Sequence, residues 1–139
     1  MKKLVLRMEG SEGIKMTFHK VSEDEILELC EDPHRSAIKF IVESLLEQGI
    51  EFDKMEYIVL SRYTALVILL RGDKVIKYFP FVLGLRGNLR RMIRALKRLY
   101  KKIERARNAK SDEETLRILR PLYTIEVTLE EIKKEGTSE

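Results

Sequence analysis

Between Arg86 and Lys110 the sequence RGNLRRMIRALKRLYKKIERARNAK holds eleven lysines and arginines and one acid, Glu104. Guanidinium and ammonium groups at that density attract anions, and a row of them suits a polyanion such as a nucleic-acid backbone. The preceding stretch, KVIKYFPFVLGLRG (74–87), adds aromatic rings beside further cations. That pairing is the chemistry of single-strand binding, in which bases stack on rings and cations follow the phosphates. The residues expected to do this are Arg62, Tyr63, Arg71, Lys74, Lys77, Tyr78 and Phe79 around the strands. Arg86, Arg90, Arg91, Arg94, Lys97, Arg98 and Lys101 join them from the basic segment.

The basic segment reads as one helix. Leu89, Met92, Leu96, Leu99, Ile103 and Ala106 recur at steps of three and four, a heptad seam, with Ile93 and Tyr100 widening it on one side. Arg90, Arg91, Arg94, Lys97, Arg98, Lys101 and Arg105 fall on the face turned away from the seam. Like charges four residues apart, such as Arg90 with Arg94 and Lys97 with Lys101, each destabilise an isolated helix by roughly 0.2–0.5 kcal/mol. A face that served only solvation would intersperse glutamates and avoid that loss. Arg86, Arg90 and Arg91 also sit against the positive end of the helix dipole, where an arriving anion would offset them. The seam serves equally for packing on the protein's own sheet or for self-association over 89–106.

Catalytic constellations are thin. His19 and His34 are the two histidines, and Cys30-x-x-x-His34 has helical spacing for a pair of ligands but is interrupted by Pro33. The acids Glu23, Asp24, Glu25, Glu28, Glu31 and Asp32 lack the alternate spacing and glycine of a calcium loop. Gly84-x-x-Gly87 resembles a backbone clamp on nucleotides, but it lies between a strand and a helix rather than between two helices. No glycine-rich dinucleotide loop, Walker loop, catalytic triad or CxxC pair is present. The expectation is a binding protein without catalytic residues, metal or cofactor.

The elements that must position these residues follow from periodicity. KLVLRM (3–8) and IKMTFH (14–19) alternate and flank the turn EGSEG, which predicts a hairpin with one buried side. Ser22-x-x-Glu25 opens a short helix, and Pro33 begins a second one, with Ile38, Ile41, Val42, Leu45 and Leu46 as its stripe and Gly49 at its end. From Tyr57 to Phe81 the chain reads as strand. TALVILL (64–70) is apolar on both faces and therefore internal. Gly72-Asp73 turns it back into VIKYFPF (75–81), where Pro80 marks an edge. Strict alternation puts Val75, Lys77, Phe79 and Phe81 on one face, with Lys77 opposite Ile68, Tyr78 opposite Val67 and Phe79 opposite Leu66. Ser111-x-x-Glu114 caps a helix that ends before Pro121. LYTIEV (122–127) adds a strand, and a short helix starts at Thr128. The fold class is α+β: an antiparallel sheet of four or five strands packed by helices, one of them long and basic.

Composition agrees with a globular chain. Of 139 residues 44% are hydrophobic and 36% charged, so residues 1–135 read as one domain and 136–139 as a flexible polar tail. The net charge of +4 is unevenly spread: residues 1–60 carry −5 and residues 84–110 carry +10. One cysteine, Cys30, forms no internal disulfide and suits a reducing cytoplasm. The opening residues lack the apolar run of a signal peptide, and no stretch is long enough to span a bilayer. One glutamine and two asparagines among fifty charged side chains match the balance of a thermophile's proteins.

Taken together, the charge-rich chain, the antiparallel sheet with aromatic and basic strand residues and the late heptad-bearing basic helix resemble the ThermoDBP-related proteins, single-stranded nucleic-acid binders of thermophilic archaea. The resemblance implies a cleft between sheet and helices that takes single-stranded DNA or RNA without sequence preference, and homo-oligomers formed through helices. The alternative from the residues is an interaction module whose basic ridge docks an acidic protein partner.

Overall fold

Apolar side chains on both faces of a strand require a layer on each side of it, and the segment Thr64–Arg71 has both. In the computed structural model, which describes residues 2–6, 14–20, 33–84, 89–121 and 125–131, every residue from Thr64 to Leu70 is buried. The elements in chain order are strands β1 (Lys2–Leu6) and β2 (Lys15–Lys20), helix α1 (His34–Glu47), strands β3 (Lys54–Ser61), β4 (Thr64–Arg71) and β5 (Lys74–Val82), helices α2 (Leu89–Arg107) and α3 (Asp112–Leu119), and strand β6 (Ile125–Glu131).

The six strands form one mixed sheet in the order β1-β6-β2-β3-β4-β5. Three expectations are corrected here. Among the described residues the sheet has six strands rather than four or five. It is mixed rather than antiparallel, because β2 and β3 are joined through α1 and run parallel, as a helical crossover requires. The hairpin over 3–19 does not form: β6 lies between β1 and β2, parallel to the first and antiparallel to the second. A local turn signal fixes direction reversal, not adjacency, and the chain between Leu6 and Lys15 is long enough to step over one strand, a distance of about 10 Å.

The expected helix at Thr128 is strand instead. Residues Val127 to Glu131 pair with β1, and Ile125 to Leu129 with β2, so neighbours on both sides override the helical propensity of the glutamates. The predicted helix after Ser22, the turn EGSEG and the tail 136–139 lie outside the described residues, as does Arg86.

Two cores form, one on each face. On the first, Ile38, Ile41, Val42 and Leu45 of α1 meet Met16, Phe18, Met55, Tyr57, Val59, Ala65, Val67 and Leu69. On the second, Leu99, Ile103 and Ala106 of α2 and Leu119 of α3 meet Ile58, Leu66, Ile68 and Leu70. The stripe read for α1 holds except at Leu46, which is exposed. The helix closes with a Schellman arrangement: Gly49 takes φ +72°, its N–H donates to Leu46 O (3.1 Å), and Ile50 N–H donates to Leu45 O (3.1 Å). α3 begins as read. Ser111 Oγ accepts from Glu114 N–H (3.1 Å), while the Glu114 carboxylate accepts from Lys110 N–H (3.1 Å).

His34, at the start of α1, is fully buried. Its Nε2 donates to the Ser61 carbonyl oxygen (2.9 Å), which leaves Nδ1 to accept from the Tyr57 hydroxyl (2.6 Å). Both ring nitrogens are thereby engaged in joining helix to sheet, and burial pushes the Tyr57 phenol well above its ordinary value.

Candidate nucleic-acid interface

α2 is positioned by its seam. Met92, Leu99, Ile103 and Ala106 are buried, and Leu96 is half-buried, so the heptad pattern is used inside the chain against β3, β4 and α3. That use leaves the same residues unavailable to a second chain. The rest of the widened stripe stays outside: Leu89, Ile93 and Tyr100 are about half exposed, at 50%, 49% and 55%.

The polar face of α2 is cationic. Arg90, Arg91, Arg94, Lys97, Arg98 and Lys101 are all exposed. Among the described residues, none of Arg90, Arg94, Lys97, Arg98 and Lys101 pairs with a carboxylate. Lys102, half-buried beside them, has its ammonium pulled below the usual lysine range by partial burial and by repulsion from Arg105 and Arg98. With Arg98 it borders a cavity of about 160 Å³ between α2, the sheet and Leu119.

The strand residues do not gather on this surface. β5 is the edge strand next to β4, and its register slips by one residue: Leu69 faces Lys77 but Leu70 faces Val75, leaving Ile76 as the extra residue of a bulge. The expected pairings are each displaced accordingly. Lys77 lies opposite Leu69, Tyr78 opposite Ile68 and Phe79 opposite Val67. The bulge also moves Val75 onto the same face as Tyr78, where both pack, half-buried, against the core beneath α2. At the bulge, Val75 N–H donates to the Asp112 carboxylate (2.9 Å), which anchors the start of α3.

Lys77 and Phe79 belong to the opposite side of the sheet. The Lys77 ammonium lies 5.8 Å from the Phe79 ring centroid. With Phe40, Gln48 and Phe81 they border a shallow cavity of about 240 Å³ beside α1, where the Phe40 and Phe81 rings are 6.4 Å apart. Arg62 and Tyr63 form the turn between β3 and β4, the guanidinium carbon 5.7 Å from the ring centroid. Arg71 and Lys74 flank the turn at the other end of β4, roughly 23 Å away. Arg71 is paired there with Glu51 at 3.2 Å. A continuous positive rim from Arg62 to Lys74 is therefore not formed.

The second face of the sheet also holds a polar cluster that periodicity did not flag. Glu56 and His19 are buried, and the half-buried Arg120 donates from Nε to Glu56 Oε1 (2.8 Å) and from a terminal nitrogen to Oε2. A lone glutamate in an apolar strand, KMEYIVL, was the available signal.

No protein family, curated protein or solved structure matches the chain. Among the described residues no helix is long and apolar enough to cross a membrane, and no group of three or more His, Cys, Asp or Glu side chains is placed to hold a metal ion.

Proposed function

We propose that this protein binds single-stranded nucleic acid, DNA or RNA, without sequence preference, using the outer face of α2. The reading rests on one observation: Arg90, Arg94, Lys97, Arg98 and Lys101 are exposed together on a helix and are not matched by carboxylates among the described residues. Between Arg90 and Lys101 the row extends about 16 Å along the axis. Repulsion within it weakens the helix, and a phosphate chain laid along it relieves that repulsion while releasing counterions.

The test is a titration of mixed-sequence single-stranded and duplex DNA and RNA at two salt concentrations. Each neutralised phosphate on a single strand contributes a slope of about −0.7 to log K against log[salt], so contacts to several of the row give a slope near −3. No binding at low salt, or affinity indifferent to salt, refutes the reading. Binding of an acidic protein segment with no affinity for nucleic acid would assign the same face to a protein partner.

A further inference from the structure

Two rows run along α2 in the same step. Leu89, Ile93, Leu96 and Tyr100 advance by four, three and four residues; Arg90, Arg94, Lys97 and Lys101 do the same, one residue later. Residues three and four apart are the neighbours on a helix surface, so Ile93 adjoins Arg90 and Lys97, and Tyr100 adjoins Lys97 on one side and the single acid of the helix, Glu104, on the other. The first row occupies the border of the buried seam. Leu96 tucks half under, while Leu89, Ile93 and Tyr100 stay about half exposed. The opposite border of the helix, at Arg98 and Lys102, lines the cavity beside Leu119.

The cation row alone would serve any polyanion. The apolar row is of use only to an anion that carries apolar faces beside its charges, in register along its length. A duplex does not meet that requirement, because its base faces are stacked on one another and only edges and phosphates are presented. A second copy of this helix does not meet it either, since it would bring two unmatched cation rows together. A single strand does: its bases are free to leave one another and lie on a ring or an aliphatic surface while its phosphates remain outside.

We infer that α2 supplies both halves of the site, with Tyr100 and Ile93 taking bases and Arg94, Lys97 and Lys101 taking the adjoining phosphates, and that this apolar border makes the protein prefer single strands to duplex. The inference rests on the proposed use of α2 and adds the base-contacting residues and the source of the preference. Tyr78 and Phe79, on the two faces of β5, are then not the stacking platform.

The experiment compares wild type, Tyr100→Ala, Tyr100→Phe, Ile93→Ser and the double variant Arg94→Gln/Lys97→Gln for affinity to short mixed-sequence single strands and duplexes. A thermal melt of each sample verifies the fold. Tyr100→Ala should weaken single-strand binding by roughly 5- to 150-fold with an unchanged salt slope. Duplex binding should not move, and Tyr100→Phe, which keeps the ring, should recover most of the single-strand affinity that Tyr100→Ala loses. Ile93→Ser should act in the same direction. Folded Tyr100→Ala and Ile93→Ser proteins that bind single strands as wild type does would overturn the inference, as would equal losses for single strand and duplex. If in addition the double variant loses both ligands, the cation row stands and only the apolar border is refuted. If wild type binds neither ligand at low salt, the proposed function itself falls, and this inference with it.

Discussion

Glu56 on β3 and Arg120, the residue that follows α3, form a two-pronged ion pair across 64 positions of sequence. His19 Nε2 on the neighbouring strand lies 2.9 Å from the same carboxylate. The pair fastens the end of α3 to the face of the sheet that α2 also covers. Burial by itself would raise the Glu56 carboxyl, but the hydrogen bonds and charge of Arg120, with His19 beside it, outweigh burial and bring it down to about 2.

That shift carries a pH dependence. A carboxyl held below its ordinary value of 4.5 binds protons more weakly in the folded state. Its contribution to stability is therefore complete above that value and is lost as pH falls toward about 2. Thermal melts across this window should show a falling midpoint for wild type. Glu56→Gln should be less stable at neutral pH, with a flatter profile through the same window. Parallel profiles for the two proteins would show that the pair does not govern acid stability.

Leu99 is the deepest residue of the α2 seam, at 2% exposure, whereas Leu96 is half-buried. Leu99→Ala should cost about 2–5 kcal/mol in chemical denaturation, and Leu96→Ala clearly less. Equal costs would mean that α2 sits rotated from the orientation described.

Arg94→Gln/Lys97→Gln removes two cations from the outer row without touching the core. Single-strand affinity should fall for every sequence alike, and the salt slope should flatten by about 1.4, two phosphates at 0.7 each. A slope that stays unchanged would place the phosphates elsewhere on the molecule.

Tyr78 is half-buried against the core under α2. Tyr78→Ala should lower the melting temperature and leave the affinity of the folded fraction unaltered, both measured on one sample. A loss of affinity in a protein that melts as wild type does would return a base to Tyr78.

Much of this was legible where the determining contacts are local. The stripe Ile38-Ile41-Val42-Leu45 with Gly49 behind it marked α1, the Ser111–Glu114 pair marked α3, and the unbroken TALVILL marked an interior strand, because periodicity and capping act within a few residues. The strand order was not legible. Whether Leu4 lies beside Phe18 or beside Leu129 depends on partners over a hundred positions away, and alternation is the same in either case. The bulge at Ile76 was hidden for a related reason: a one-residue slip leaves composition untouched yet moves Val75 to the other face. For the site, the cation row could be read from spacing alone. Which side of the seam remained open at Ile93 and Tyr100 required knowing where the sheet ends beneath the helix.

The placement of β6 bears on how the protein is made. β1 leaves the ribosome before the other described elements, yet its neighbour in the sheet is β6, with Lys2 beside Val127. β2 likewise has β3 on one side and waits for β6 on the other. The β3–β4–β5 meander can assemble during synthesis, since its strands are joined by short turns. The N-terminal strand, by contrast, must remain unpaired in this sheet until Ile125–Glu131 have been translated and have emerged. Such distant pairing slows the last step of folding and leaves a strand edge open meanwhile. A nascent chain arrested before β6 emerges should therefore carry a protease-sensitive β1 beside an already protected meander.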